Sequence, residues 1–281
     1  MENKTQNRKI NKRVWLSAPY VIWIGAFTVI PVCMVAFYAF TGKDGGFTFA
    51  NIIETFDGIH LKAFFESLKI AVLCTLICII LSYPLVMALK TLGMGRKGFT
   101  MFILILPMWM NFVLRVLAWQ MILSNNGILN FILSSLGFEP LAIANTSTSV
   151  MIGIVYDYLP YMVLPIFNAV MDINEDVIEA AKDLGAGPFT VFFRIILPLS
   201  FPGLISGIVM VFVPAMTSFA IADILGGGKI QLIGNIIEQE FIKSANWNLG
   251  SAVSLILMIF VLLGMAFTST NETAVKETTV W

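Results

Sequence analysis

Charge is what this chain has least of: Asp, Glu, Lys and Arg make up only 12% of its 281 residues, about half the share usual in a soluble domain. The deficit is even, 17 basic against 17 acidic residues, so no net field favours nucleic acid and no charged tail stands out beyond the N-terminal arm. Histidine occurs once, as His60 in a hydrophilic stretch. One imidazole supplies no catalytic dyad, and no Ser/His, metal-ligand or paired-carboxylate cluster marks a membrane enzyme. Cys33, Cys74 and Cys78 all lie in apolar segments, which argues against disulfides and against a thiolate metal site; Cys74 and Cys78 share a helix face and read as packing residues. The run Gly226, Gly227, Gly228 lacks the GxxxxGK spacing of a phosphate loop. The chain is therefore expected to bind no cofactor of its own. With no internal repeat, linker or compositional break, residues 1–281 read as one membrane domain.

Apolar residues make up the difference, 58% of the chain with 23 Phe. That surface exceeds what a soluble core could bury and places the chain in a bilayer. Six segments can cross about 30 Å of hydrocarbon, which takes roughly 20 helical residues: 15–40, 68–89, 99–123, 150–170, 204–225 and 249–267. The first is too long for a signal peptide and lacks an A-x-A-like exit, so it reads as an uncleaved span. Of the 17 basic residues, Lys4, Arg8, Lys9, Lys12, Arg13, Lys90, Arg96, Lys97, Lys182, Arg194 and Lys276 fall on one side of this arrangement. Lys43, Lys62, Lys69, Lys229 and Lys243 fall on the other, and Arg115 is inside a span. The bias places both termini and the loop at 172–198 in the cytoplasm. The tail after Phe267 is polar and poor in basic residues, which leaves the end of the last span open.

An ionisable residue within a span is costly unless it is paired or faces water. Arg115 in the third span and Asp157 in the fourth lie at similar depth, and two roles stay open: an ion pair that fixes helix packing, or Asp157 facing a pore. Tyr156 and Tyr158 flank Asp157, with Tyr161 one turn further. A carboxylate among aromatic rings suits an ammonium through Coulomb and cation–π attraction; singly, each Tyr reads equally well as an anchor or packing residue. Asp223 follows Phe219 near the outer end of the fifth span and has no basic residue in that span. It reads as a pore-mouth carboxylate, or else as an Asp in interfacial water where a helix ends. Gly203 and Gly207 form a small-xxx-small pair that would allow close helix approach. Pro107, Pro160, Pro165 and Pro214 are expected to interrupt their spans.

The loop 172–198 carries its own signals. Asp172 and Glu175 have capping-box spacing, and Ile178, Ala181 and Leu184 then recur at helical period. Gly185 and Gly187 are expected to stop this short amphipathic helix by taking positive φ, and Pro188 to open a second one carrying Phe189, Phe192, Phe193 and Ile196. Pro198 and Pro202 follow where the chain turns back to lipid. A helix, a bend and a helix at a membrane surface result.

The run E-A-A, three residues, Gly, nine residues, I-x-L-P resembles the cytoplasmic signature of ABC-importer permeases at Glu179, Ala180, Ala181, Gly185, Ile195, Leu197 and Pro198. Over nearly the whole chain the resemblance is strongest to the permease subunits of spermidine/putrescine importers, carried by P-M-W-M-N-F-V-L-R at 107–115, G-I-V-Y-D-Y-L-P at 153–160, E-A-A-K-D-L-G-A, and A-D-I-L-G-G-G-K with I-G-N after it. The resemblance implies an all-α fold of six transmembrane helices in the type I ABC-importer permease architecture, in a bacterial inner membrane. It implies that the loop couples to an ATPase through Glu179, Ala180, Ala181, Asp183, Leu184, Gly185, Phe189, Ile195, Leu197 and Pro198. It also implies a second homologous permease, two cytoplasmic ATPase subunits that carry ATP and magnesium, and an extracytoplasmic polyamine-binding protein. The candidate substrate route gathers Asp223, Asp157, Tyr156, Tyr158, Phe219 and Trp109. Rival readings are a permease for another small solute and an ion-coupled secondary transporter, which would need a titrating carboxylate chain.

Overall fold

A computed structural model describes residues 19–42, 45–93 and 98–278, with backbone alone at 98–101 and 267–278. Half of the sixteen basic residues behind the sidedness expectation, Lys4 to Arg13 together with Lys43, Arg96 and Lys97, lie outside the described residues, as does the side chain of Lys276. Among the described residues the chain is all-α apart from one isolated bridge, Thr41 to Phe47. Five helices are long and apolar enough to cross a membrane, or six if the pair Pro188–Leu199 and Phe201–Met216, bent by 67°, counts as one.

The helices are α1 Pro19–Ala39, α2 Ala50–Glu54, α3 Gly58–Thr91, α4 Gly98–Ile105, α5 Phe112–Leu123, α6 Ile128–Ser135 and α7 Ser147–Met171. They continue with α8 Glu175–Asp183, α9 Pro188–Leu199, α10 Phe201–Met216, α11 Phe219–Gly226, α12 Ile233–Glu238 and α13 Trp247–Thr278. Contacts group them into two compact units, Met1–Asp57 with Gln239–Ile259, and Gly58–Glu238 with Phe260–Trp281.

In the first unit, α1 contributes Ala39 to a small cluster with Ala252 and Leu255. The loop after α1 is tied down by amides: Asn51 Nδ2 donates to the carbonyls of Ala39 and Thr41 at 3.1 and 2.9 Å, and Asn248 Nδ2 to that of Thr41 at 2.7 Å.

The second unit is built on α3, α7 and α10, which pack on one another. Their facing residues are fully buried, among them Ile70, Cys74 and Cys78 on α3, Ile154, Met162 and Ile166 on α7, and Val211 on α10. Helix α7 opens with a capping box, Thr146 and Ser149 bonding each other's backbone N–H, and Lys90 Nζ caps its last turn by donating to the Val170 carbonyl at 3.1 Å. Gly203 and Gly207 bring α10 against α7, since a Cβ at Gly203 would stand 2.5 Å from the Pro165 carbonyl and from Ala169 Cβ.

Several expectations are corrected. Pro160 and Pro165 sit inside α7 without breaking it. The third span, placed at 99–123, does break where Pro107 was expected to interrupt it, at a 3₁₀ turn over Leu106–Trp109 and an extended Met110, because Pro107 cannot continue the α ladder. The fifth, expected over 204–225, ends at Met216 and restarts at Phe219. There Ser218 takes φ −75° and ψ 68°, an inverse γ-turn closed by Phe219 N–H to the Thr217 carbonyl at 2.8 Å. His60 lies in the first turn of α3, partly buried, rather than in a loop.

Candidate functional site

The E-A-A stretch forms α8, and its start is set by Asn174, whose side chain accepts from the Asp176 N–H at 3.0 Å. Asp172 ends α7 instead of capping α8, so the Asp172/Glu175 box does not form. The residue next to the first helical position makes the better cap, because its oxygen reaches the free N–H groups directly. At the other end Gly185, at φ 85°, donates to the Lys182 carbonyl at 2.8 Å while Ala186 donates to that of Ala181 at 3.0 Å. This is a Schellman turn, and it needs the left-handed conformation only at Gly185. Gly187 has φ −72° and is the N-cap before Pro188, not a second left-handed residue.

The element has a rooted face and an open face. Ile178, Val191 and Ile196 are buried, and Tyr83 on α3 holds the root through its hydroxyl, 3.0 Å from Ser200 Oγ, and its ring, 5.5 Å from that of Phe192. Glu179, Ala180, Asp183 and Gly185 are exposed, Ala181, Ile195 and Leu197 half-buried. Leu184 and Phe189, on either side of the bend, are 89% and 81% exposed. A cavity of about 530 Å³ opens beside them, lined by Met87, Lys90, Glu179, Lys182 and Pro188.

Of the charged residues singled out in the spans, Arg115 and Asp223 lie on the helices that follow the two breaks, and Asp157 lies within the continuous α7. Arg115 on α5 forms an ion pair with Asp157 on α7, both largely buried, and its Nη1 donates to the Pro107 carbonyl at 2.8 Å. Asn111 caps α5 by accepting from the Val113 N–H at 2.9 Å. The tyrosines beside Asp157 diverge: Tyr156 packs edge-on against Trp119 at 5.1 Å, while Tyr158 reaches the other break, its hydroxyl 3.4 Å from Ser218 Oγ. Trp109 is exposed with its ring 5.8 Å from that of Phe102.

Asp223 and Phe219 lie four residues apart on α11, both exposed. Asp223 Oδ1 accepts from Asn235 Nδ2 at 2.8 Å. Asn235, Ser218 and Asn111 were not singled out in the sequence. For the first, the available signal was the I-G-N run after the glycines, which stood only as part of the family resemblance.

Residues 97–276 match the family described as binding-protein-dependent transport system inner membrane component. The chain belongs to that family. It is thus an inner-membrane component of a binding-protein-dependent transport system, and the matched segment contains α8, α9 and both helix breaks. The chain is 37% identical to the spermidine/putrescine transport system permease protein PotB of Haemophilus influenzae over 249 residues, 86% of this chain and 87% of that protein. It is 36% identical to PotB of Escherichia coli over 84% of this chain and 89% of that protein. In fold it matches a chain of a bacterial ABC transporter involved in import of the acidic polysaccharide alginate, with TM-score 0.74, 19% identity, and 96% and 99% of the two chains covered.

Proposed function

We propose that this chain is the permease subunit of an ATP-driven ABC importer of polyamines and forms half of the membrane route by alternating access. The 37% identity to a spermidine/putrescine permease over 86% of the chain carries the substrate class. The exposed Leu184 and Phe189 at a rigid bend support the coupling role, because apolar side chains this exposed on a rooted element suit a socket on another subunit. Partners are then a second, homologous permease, two cytoplasmic ATPase subunits that hold ATP and magnesium, and an extracytoplasmic binding protein that delivers the polyamine. Both termini and α8 face the cytoplasm.

Mechanistically, ATPase closure pushes on α8 and α9, and the push enters α10 through the Ser200 root. Asp223 gives the route a sign that accepts cations, the charge of Asp157 being matched by Arg115, with Tyr158, Tyr156, Phe219 and Trp109 as aromatic surface along it. Binding specificity rests on the external protein.

Co-purification in detergent and uptake of labelled spermidine by cells expressing the full set of subunits test this reading. An ATPase should co-purify with the wild type and be lost with Gly185→Pro, since proline cannot take φ 85°. Transport by this polypeptide alone, or no spermidine uptake by the assembled set, would sink the proposal.

A further inference from the structure

Asn235 is buried and its whole amide is engaged. Oδ1 accepts from the Leu232 N–H at 2.9 Å, while Nδ2 donates to the Phe219 carbonyl at 3.1 Å and to Asp223 Oδ1 at 2.8 Å. The Leu232 N–H can only donate, so the amide has one orientation, with its NH₂ end toward α11. Phe219 and Asp223 share a face of that helix at i and i+4, and one NH₂ group holds the backbone at the first and the carboxylate of the second. Gly234 lets this happen: a Cβ there would stand 2.6 Å from the Thr217 carbonyl, so only glycine brings α12 up to the break.

We propose that Asn235 is a positioning residue for a primary-ammonium site made by the Asp223 carboxylate and the Phe219 ring on the transport route. The inference rests on the polyamine reading above. An ammonium gains charge-assisted hydrogen bonding from the carboxylate and cation–π attraction from the ring. A carboxylate held beforehand loses less rotamer freedom when the cation arrives. Asn235 supplies that hold from a neutral donor, so the negative charge stays available to the ligand.

The test uses the reconstituted complex of both permeases, the ATPases and the binding protein, with labelled spermidine as probe. Asn235→Ser keeps the start of α12, because a serine can accept the first N–H as Ser149 accepts from Thr146 at 3.3 Å, but it is too short to reach Asp223. Uptake is expected to fall about tenfold, the size of one lost hydrogen bond to a charged group. ATP hydrolysis should stay within about twofold, because a loosened carboxylate leaves the coupling element untouched. In an Asp223→Asn background the same substitution should cause no further fall, which a purely structural role would not produce. Wild-type uptake by Asn235→Ser, or an undiminished second fall on Asp223→Asn, overturns the proposal. If Asn235→Ser fails to assemble, Asp223→Glu decides: it leaves Asn235 in place and carries the carboxylate past the amide, so uptake near wild type overturns the site and a similar loss supports it. A wild-type complex that takes up no spermidine removes the polyamine reading first, and the site with it.

Discussion

Arg115 joins Asp157 across α5 and α7, and the same guanidinium holds the carbonyl of Pro107 at the break in the third span. Removing one member of a buried pair leaves an uncompensated charge, at a cost of about 3–5 kcal/mol, whereas replacing both with apolar residues is close to neutral. Asp157→Asn should therefore lower the melting temperature of the detergent-solubilised protein sharply, and Arg115→Met with Asp157→Leu should restore most of it. Equal melting of the single variant and the wild type would contradict the pairing as a structural tie.

Leu184 and Phe189 contribute little to the fold of the free subunit, given their exposure. Leu184→Ala and Phe189→Ala are expected to change stability by less than about 0.5 kcal/mol. Each should weaken ATPase association by about tenfold or more, as truncated anchors do in a filled socket. Titration of the purified permease complex with its ATPase measures this directly.

Glycines in the same region separate by what surrounds them. At Gly203 an added methyl meets the Pro165 carbonyl and Ala169, so Gly203→Ala should destabilise by about 1–3 kcal/mol. At Gly187 nothing lies within 4 Å and φ is −72°. Gly187→Ala should be neutral or stabilising by up to about 1 kcal/mol. Thermal unfolding of the two variants side by side would expose the reverse order, if it holds.

Tyr83→Phe removes the hydroxyl facing Ser200 while Ser200 Oγ keeps the Leu197 carbonyl at 3.2 Å. A loss of about 0.5–1.5 kcal/mol is expected. If the α9 root transmits motion, spermidine uptake per ATP hydrolysed should drop in this variant at unchanged ATPase content.

Much of this architecture was legible because lipid imposes a simple rule: a long apolar run must be helical. Fold class and the amphipathic α8 followed from period and composition, and the bend from Gly185. Local chemistry was harder to read. Asn174 displaced Asp172 as cap because a cap is chosen by which oxygen lands on a free N–H, a matter of one or two residues that spacing alone does not decide. Proline was an unreliable sign of breaks: α7 absorbs Pro160 and Pro165, while the fifth span breaks at Ser218, where no proline stands. Asn235 stayed hidden because its partners, Phe219 and Asp223, are 16 and 12 residues away, and only the folded turn between α11 and α12 brings them together.

The near-contact of α10 and α7 at Gly203 and Gly207 has a mechanical meaning. Between most helices a layer of side chains can repack and so absorb a displacement; at Gly203 the backbone instead meets the Pro165 carbonyl and Ala169 Cβ, and at Gly207 the Met162 side chain. Under the proposed coupling, the two helices should move as one arm, and a thrust delivered at α8 and α9 should reach the Asp157 helix. The Ala169 to Gly203 spacing should accordingly be the same in every nucleotide state of the complex, with the change of shape taken up at Met110 and Ser218.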